Sequence, residues 1–158
     1  MRKRIIARPQ QEASSLPDED WLDLERLVDV EVTSEDAGHP IESALLAQRG
    51  SGWRAAEPGR QTIRLLFTRP QQLRRICVVF AESECERTQE YVLRWALDGE
   101  KSFREIVRQR WNFSPQGATR ETEDHRVELS DVGILELIII PDTSGKTAFA
   151  SLAQLRLA

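Results

Sequence analysis

The sequence predicts an all-β protein, an antiparallel β-sandwich or jelly roll with one or two short helical segments. Three observations predict it. About eight apolar segments follow one another at fairly even spacing, each bounded by turn residues. Several of them alternate apolar and polar side chains with a period of two. Long amphipathic helices do not separate them, which disfavours a parallel βαβ sheet and favours an antiparallel sandwich.

The first predicted elements are short. Residues 18–27 suit a short helix or a strand equally, because their apolar spacing fits both periods. The valines at positions 28, 30 and 32 alternate with polar residues, which predicts a half-buried strand. Residues 40–48 predict one or two helical turns, with Pro40 at an early position and Gly50 as the terminator.

From Gln61 onward the pattern is that of strands. In residues 91–97 the large apolar side chains share one face, opposite Arg94, as expected for a strand of a sandwich. Turn residues such as Asp98-Gly99 separate the candidates. The candidate strands comprise residues 62–67, 73–80, 91–97, 106–111, 126–129, 135–140 and 151–157.

We predict one domain over residues 18–158 and a disordered leader over residues 1–17, because no internal repeat or linker divides the 158 residues. No apolar run approaches the roughly 18 residues of a membrane span, and the basic start lacks the pattern of a secretion signal. We therefore expect a cytoplasmic protein without membrane contact. Two cysteines make no disulfide framework, and Cys77 is expected to be a small core residue.

The charge is unevenly distributed along the chain, although the net charge is only −4. Residues 12–42 hold eleven acidic residues against Arg26, whereas residues 49–75 hold seven arginines against Glu57. We expect the two segments to lie side by side and to neutralise each other in preference to forming a basic binding face.

Several motifs that suggest catalysis are incomplete. Ser144-Gly-Lys-Thr147 follows an apolar strand, but Ile140 stands where a phosphate-binding loop has its first glycine, so a turn is favoured. The alternating glutamates at 82, 84 and 86 suit a solvated loop better than an acid–base pair. No zinc spacing and no nucleophile elbow is present. We therefore expect no catalytic residues, no metal and no cofactor, and an enzyme is the least favoured class.

Residues 108–115 combine cation and amide donors with aromatic rings, a combination that suits sugar rings, nucleobases or a partner protein. The structural alternative is that Trp111 and Phe113 alternate into the core while Asn112 caps a turn. The core is favoured for both aromatic residues, more strongly for Phe113.

The order of these features resembles the discoidin, or coagulation-factor type C, domains. The resemblance rests on Ser34 after the first strand, Trp53 before the strand that begins at Gln61, the segment 91–99 and the final residues 152–157. It covers roughly residues 27–158 through dispersed motifs. It implies a jelly-roll sandwich of the galactose-binding-like fold.

A denser local similarity covers residues 34–80. Trp53-Arg-Ala-Ala-Glu-Pro-Gly59 and Thr62-Ile63, with Ser34, His39 and Glu42 upstream, are similar to the N-terminal domain of the eukaryotic X-ray repair cross-complementing scaffold protein. That domain has the same fold, lacks enzymatic activity, and contacts a DNA polymerase and broken DNA. The similarity implies a fold more strongly than a function.

One feature departs from the discoidin pattern. Many members have an Asp-Gly pair before the tryptophan, in a loop whose oxygens hold calcium, but this chain has Gln48-Arg-Gly-Ser-Gly52 there. Because an arginine opposes a cation, we expect no structural calcium.

These observations favour a non-catalytic binding module whose partner, a protein or a nucleic acid, meets the loops at one end of the sandwich. The alternative is a carbohydrate-binding module of discoidin type. The oligomeric state stays open. The predicted ligand-binding residues are His39, Arg49, Arg54, Arg60, Arg87, Arg108, Arg110, Trp111 and Asn112.

Trp53 itself is expected to close the sandwich beneath its loops as a structural plug. Its neighbour Arg54, with Arg49 and Arg60, is the more plausible exposed group, and the glycines around them are expected to form turns.

Overall fold

The protein is described by a computed structural model that covers residues 20–46 and 51–158, and most of these residues lie in antiparallel strands. Two one-turn helices occur in this part of the chain, α1 (Leu24–Leu27) and α2 (Glu42–Leu45). The strands are β1 (Val28–Val32), β2 (Trp53–Arg54), β3 (Gln61–Ala81), β4 (Arg87–Leu97), β5 (Arg104–Phe113), β6 (Arg120–Ile140), β7 (Ser151–Leu152) and β8 (Gln154–Leu157).

The early elements follow the sequence pattern. The ambiguous segment 18–27 ends in helix α1, the alternating valines form β1, and α2 lies within the predicted helical turns. The expected terminator Gly50 and the expected leader, residues 1–17, lie outside the described residues. Among the residues described, no helix has the length and hydrophobicity that crossing a bilayer requires.

The long strands β3 and β6 each belong to two layers. Their outer halves, residues 61–66 and 134–139, pair with each other and join β1, β4 and β5 in the order β1-β3-β6-β4-β5. Their other halves, residues 73–81 and 120–129, pair with each other and with β8. The result is a sandwich of a five-stranded and a three-stranded layer, so the predicted fold class is confirmed.

The prediction divided each of these long strands in two. Residues 62–67 and 73–80 were expected as separate strands, and so were residues 126–129 and 135–140, but each pair is continuous in the structure. The register between β3 and β6 shifts between Leu66 and Arg75, where the chain passes from one layer to the other. The turn residues Arg69-Pro70 therefore mark the bend by which β3 passes between the layers, and not a break in the strand.

The core lies between the two layers. The rings of Phe80 on β3 and Tyr91 on β4 lie 5.0 Å apart between centroids, so the two layers meet at this contact. Phe113 is fully buried, as expected. Trp95 and Cys77, expected in the core, are only partly buried, because each lies near the margin or on the outer face of its layer.

A row of alternating charges crosses the outer face of the five-stranded layer, and we call it the ionic ladder. Its members lie opposite one another in register: Glu31 on β1, Arg64 on β3, Glu136 on β6, Arg94 on β4 and Glu105 on β5. Arg64 donates to Glu136 at 2.8 Å and to Glu31 at 3.2 Å, and Arg94 donates to Glu136 at 2.8 Å.

The expected neutralisation of the basic segment occurs mostly through β6. Arg64 does contact Glu31 of the acidic segment, but Glu136 is its nearer partner. Arg75 donates to Asp124 at 2.7 Å, and Asp124 also belongs to β6. The acidic N-terminal segment therefore supplies only part of the counter-charge.

Five loops gather at one end of the sandwich, which we call the loop end. These loops follow the finish of β1, β3, β5 and β6 and precede the start of β3, β4 and β6. Backbone hydrogen bonds tie the loops together, among them Arg54 N to His39 O at 3.1 Å, Ala55 N to Ala150 O at 2.9 Å and Glu82 N to Thr119 O at 2.8 Å. The loops comprise residues 33–41, 51–60, 82–86, 114–119 and 141–150.

Candidate functional site: a cleft at the loop end

The loop end contains a cleft of about 370 Å³, to which all five loops contribute, with strand termini between them. Its charged and aromatic lining consists of His39, Trp53, Arg54, Glu82, Glu84, Arg120 and Phe149. Hydroxyl groups of serine and threonine complete the rim. The volume falls within the range of small-molecule sites, and polar groups converge there beside one exposed aromatic ring, that of Phe149.

Trp53 forms the floor of the cleft. It is 1% exposed, and its indole Nε1 donates to the backbone oxygen of Ser34 at 3.1 Å, so the expected structural plug is found. The preceding Gly52 has φ of +88°, and a Cβ there would lie 2.6 Å from the backbone oxygen of Leu152. Only glycine lets the backbone at position 52 approach the backbone at position 152 this closely.

Ser34 fixes the loop that carries Trp53 and Arg54. Its hydroxyl accepts the backbone N–H groups of Ala56 at 3.0 Å and Glu57 at 3.3 Å. The same hydroxyl donates to the side-chain oxygen of Gln61 at 2.7 Å. One small side chain thus holds the loop against the start of β3, which keeps Arg54 in a defined position.

His39 forms one wall of the cleft through a pair with Asp36, its Nδ1 lying 2.8 Å from the carboxylate. The hydrogen bond to His39 lowers the pKa of Asp36, so this carboxylate is ionised and accepts the bond. Nδ1 therefore carries the proton, and Nε2 is the ring nitrogen left for a ligand.

Phe149 stands at the boundary of the cleft. It is 37% exposed, and it is the exposed large hydrophobic side chain within residues 20–46 and 51–158. The guanidinium of Arg54 lies over its ring, 5.6 Å from the centroid. Both residues also line a second cleft of about 270 Å³, so they form a ridge between two depressions.

Glu82 lies at the same boundary and is neutralised from below by Arg87. The Arg87 guanidinium donates to Glu82 at 2.8 Å, to Gln89 at 3.0 Å and to the Pro141 oxygen at 2.9 Å. Burial raises the pKa of Glu82, but hydrogen bonds from Arg87 and the Glu84 backbone outweigh it, and the pKa is lowered. Arg87, predicted to contact ligand, is 4% exposed and holds the loop from within.

Arg120 projects from the opposite side of the cleft, at the first residue of β6. Its side chain is exposed, and it makes no ion pair with any residue that the structure describes. Its guanidinium keeps all its donors for a ligand.

The other predicted site residues lie apart from the cleft. Arg108 and Arg110 are on the outer face of β5, where both pair with Glu90. Asn112 accepts a hydrogen bond from Thr88 at 2.7 Å on the neighbouring strand. The structure thus does not bring this part of β5 to the loop end cleft.

Trp111 is half-buried against the core, and its Nε1 is buried without a partner among the described side chains. Arg60 is exposed in the turn before β3 and does not line the cleft. Arg49 lies outside the described residues, as do residues 48–50 of the expected calcium-free loop, so both expectations remain predictions.

Sequence reasoning identified His39 and Arg54 but missed Phe149 and Arg120. A lone phenylalanine among small residues, in Lys146-Thr-Ala-Phe-Ala150, is a weak signal of exposure, and it was available. Nothing in the sequence distinguishes Arg120 from its paired neighbours, because its distinction is the lack of a partner in space.

Comparison with known proteins finds similarity in structure only. No protein-family model matches the chain, and no curated protein matches it. The chain is similar to a module from Clostridium perfringens in complex with GalNAc-β-1,3-galactose, with a TM-score of 0.62, 18% identity, and 87% of this chain and 98% of that chain covered.

Two further solved structures are similar. The family 32 carbohydrate-binding module of Clostridium perfringens NanJ, in complex with galactose, has a TM-score of 0.62 and 14% identity, covering 82% of this chain and 92% of that one. A pectin-binding carbohydrate-binding module has a TM-score of 0.60 and 15% identity, covering 84% and 90%. At these identities the likeness shows the fold, and this chain therefore has the galactose-binding-like β-sandwich that its sequence resembles.

Proposed function

We propose that the domain is a non-catalytic carbohydrate-binding module whose ligand enters the loop-end cleft. The observation that carries the proposal is Phe149, an exposed aromatic ring at the edge of a cleft that is otherwise lined by hydroxyl, imidazole and guanidinium groups. A sugar ring presents an apolar C–H face and a polar edge, and this combination matches it.

The geometry gives each part of the cleft a role. The Phe149 ring supplies the apolar surface against which a pyranose stacks. His39 Nε2 and the Arg54 guanidinium, which lie on loops tied by a backbone hydrogen bond of 3.1 Å, supply polar contacts to its hydroxyl groups. The buried Trp53 supports both loops from below.

The structural neighbours support the same proposal. They include modules solved with galactose, with GalNAc-β-1,3-galactose and with 4,5-unsaturated mannuronic acid. The sequence favoured a protein or nucleic-acid partner and kept carbohydrate as the alternative. The neighbours support the alternative and give no support to the other partners.

The absence of catalysis is part of the proposal. Glycoside hydrolysis uses a pair of carboxyl groups, one of which must carry a proton as the acid. Glu82 is bound to Arg87, its pKa is lowered, and it stays ionised at neutral pH. A carboxylate held in this way is a poor general acid.

Three of the arginines that motivated a nucleic-acid partner are occupied. Arg64 lies in the ionic ladder, and Arg108 and Arg110 pair with Glu90. The similarity to the X-ray repair scaffold domain stays a prediction. Binding to an oligonucleotide that is lost between 50 and 200 mM salt, by about 10³-fold or more, would favour it over carbohydrate.

The proposal is tested on a glycan array, followed by titration calorimetry with the strongest glycan. We expect Phe149→Ala to reduce affinity at least tenfold, a loss of about 1.4 kcal/mol, because the variant lacks the apolar surface against which the sugar ring stacks. The matched control is Phe103→Ala. The Phe103 ring also lies beside an arginine, with the Arg94 guanidinium 4.7 Å from the ring centroid, but it is next to the ionic ladder and away from the cleft.

We expect the control variant to bind glycan like the unchanged protein. An array without a single binding glycan contradicts the proposed function. Equal loss of affinity in the two variants, with both still folded by circular dichroism, contradicts the placement of the ligand at Phe149.

A further inference from the structure

We propose that the loop-end cleft selects a sugar that carries a single carboxylate, such as a uronic acid, over its neutral counterpart. This inference rests on the proposed function and names the ligand class for the same cleft. The observation behind it is that two guanidinium groups without a carboxylate partner, those of Arg54 and Arg120, line the same cleft.

Arginines elsewhere in the described chain are paired wherever they are buried or lie among carboxylates. Arg75 binds Asp124, Arg87 binds Glu82, and Arg64 and Arg94 share Glu136. The fold therefore supplies a carboxylate to the arginines that its core and outer face enclose, which avoids an uncompensated charge.

Exposed arginines outside the cleft, such as Arg60 and Arg126, also make no ion pair among the described residues. What is particular to the cleft is that two such guanidinium groups, those of Arg54 on β2 and Arg120 on β6, line one depression. Arg54 does lower the pKa of Asp36, but the hydrogen bond from His39 is the first cause of that shift. Each guanidinium keeps a planar fork of donors, the geometry that binds a carboxylate through two parallel hydrogen bonds.

The carboxylates of the cleft do not cancel this charge. Glu82 is already bound to Arg87, so its negative charge is compensated from within the fold. Glu84 also lines the cleft, and its side chain is exposed. The guanidinium groups of Arg54 and Arg120 thus face one uncompensated carboxylate, that of Glu84. This balance attracts a ligand with one negative charge and disfavours a ligand with many closely spaced charges.

The same balance argues against a polyanion. A nucleic acid or a highly sulfated glycan presents a negative charge at every unit, and Glu84 with Glu86, which lines the second cleft, would repel the units beyond the first. Phe149, placed between the two clefts, suits a ring with an apolar face, which a uronic acid retains.

The experiment compares galacturonic acid with its methyl ester, since the two share one sugar ring and differ by a single negative charge. An array of neutral, sialylated, uronic-acid and sulfated glycans accompanies it. We expect the acid to bind about tenfold more tightly than the ester at 50 mM salt, the effect of one charge-assisted hydrogen-bonded contact, and the array to favour carboxylate-bearing glycans.

Arg54→Gln and Arg120→Gln should each reduce the ratio of the affinity for the acid to the affinity for the ester, and the double variant should bring this ratio to about one. Arg126→Gln is the control, because Arg126 is an exposed arginine of the same strand that lies roughly 20 Å from Arg120 at about 3.3 Å per residue. We expect it to keep the preference.

The outcomes separate the two proposals. An array on which only neutral glycans bind, or a preference for acid that survives in the double variant, overturns the carboxylate inference and leaves the proposed function intact. Tighter binding of an oligonucleotide or a sulfated glycan than of any carboxylate-bearing glycan also overturns it. An array without any binding glycan overturns both.

Discussion

The ionic ladder and the loop-end cleft both carry arginines, but the two regions use them in opposite ways. In the ladder Arg64 and Arg94 share the carboxylate of Glu136, which is 1% exposed although it lies on the outer face. In the cleft Arg54 rests on the Phe149 ring and Arg120 extends from the start of β6. The comparison teaches that the number of arginines in a segment says little about binding, since only their partners decide whether the charge is available.

Strand β6 repeats the contrast with two buried glutamates. Glu121 and Glu136 are both 1% exposed. Two arginines compensate Glu136, whereas both side-chain oxygens of Glu121 lack a hydrogen-bond partner among the described residues. Burial, and then the negative charge of Glu123, raise the pKa of Glu121 to about 7. Glu136 therefore links the arginines of the outer face, whereas Glu121 holds its proton until the pH approaches about 7.

The largest expected effect is on stability and comes from Glu136→Ala. The change leaves the guanidinium groups of Arg64 and Arg94 without their shared carboxylate. We expect the free energy of unfolding in urea to fall by about 3 kcal/mol, the lower end for breaking a buried pair, because both arginines can reach water.

The control for this substitution is Glu31→Gln at the exposed end of the ladder, whose side chain is 59% exposed. We expect it to cost less than about 0.5 kcal/mol. Equal losses in the two variants would show that the buried position of Glu136 does not matter.

The next effect in size depends on pH and on Glu121. Its folded pKa of about 7 lies above its ordinary value of 4.5, so the folded state binds the proton more tightly than the unfolded chain. The contribution of Glu121 to the free energy of unfolding is therefore fully present below about pH 4.5. It is lost as the pH rises towards and through 7, a decrease of up to about 3 kcal/mol.

Urea unfolding between pH 5 and pH 8 measures this loss, and Glu121→Gln should remove it. Burial lowers the pKa of His125, so its effect on the free energy of unfolding has the opposite sign: stability falls as the pH is lowered, at the acidic end of the range. Because His125 is present in both proteins, the difference between them isolates Glu121. A loss of the same size in both would assign the pH dependence to another group.

The smallest expected effect comes from the cleft. Arg54→Gln and Arg120→Gln should change the free energy of unfolding by no more than about 0.5 kcal/mol, because neither guanidinium has an ion pair to lose in the described fold. Thermal unfolding followed by circular dichroism checks this. A loss of 2 kcal/mol or more, roughly that of a buried contact, would place Arg54 or Arg120 with the ladder.

Much of the fold could be predicted from local patterns. The alternating valines of β1 and the apolar face of residues 91–97 predicted strands that the structure contains, since a period of two needs no knowledge of partners. The continuity of β3 and β6 could not be predicted, because a bend between layers and a reversal of the chain use the same turn residues, such as Arg69-Pro70.

The candidate site was harder to predict than the fold. Trp53 was assigned correctly as a buried plug, and His39 and Arg54 were placed among the binding residues. Arg108 and Arg110 were placed there too, yet both face Glu90 across a strand pair, a contact between residues 18 and 20 positions apart. Pairing of this kind depends on register, which no single strand encodes.

The passage of β3 and β6 between the layers has a consequence for how the chain folds. Their pairing runs from Gln61 and Ile139 to Ala81 and Arg120, so its formation closes the intervening chain, which holds β4 and β5, into a loop. Closing so long a loop costs entropy before the contacts repay it, and domains dominated by such distant pairings fold in milliseconds to seconds, not microseconds. The strand pair that unites the sandwich is therefore expected to set its folding rate.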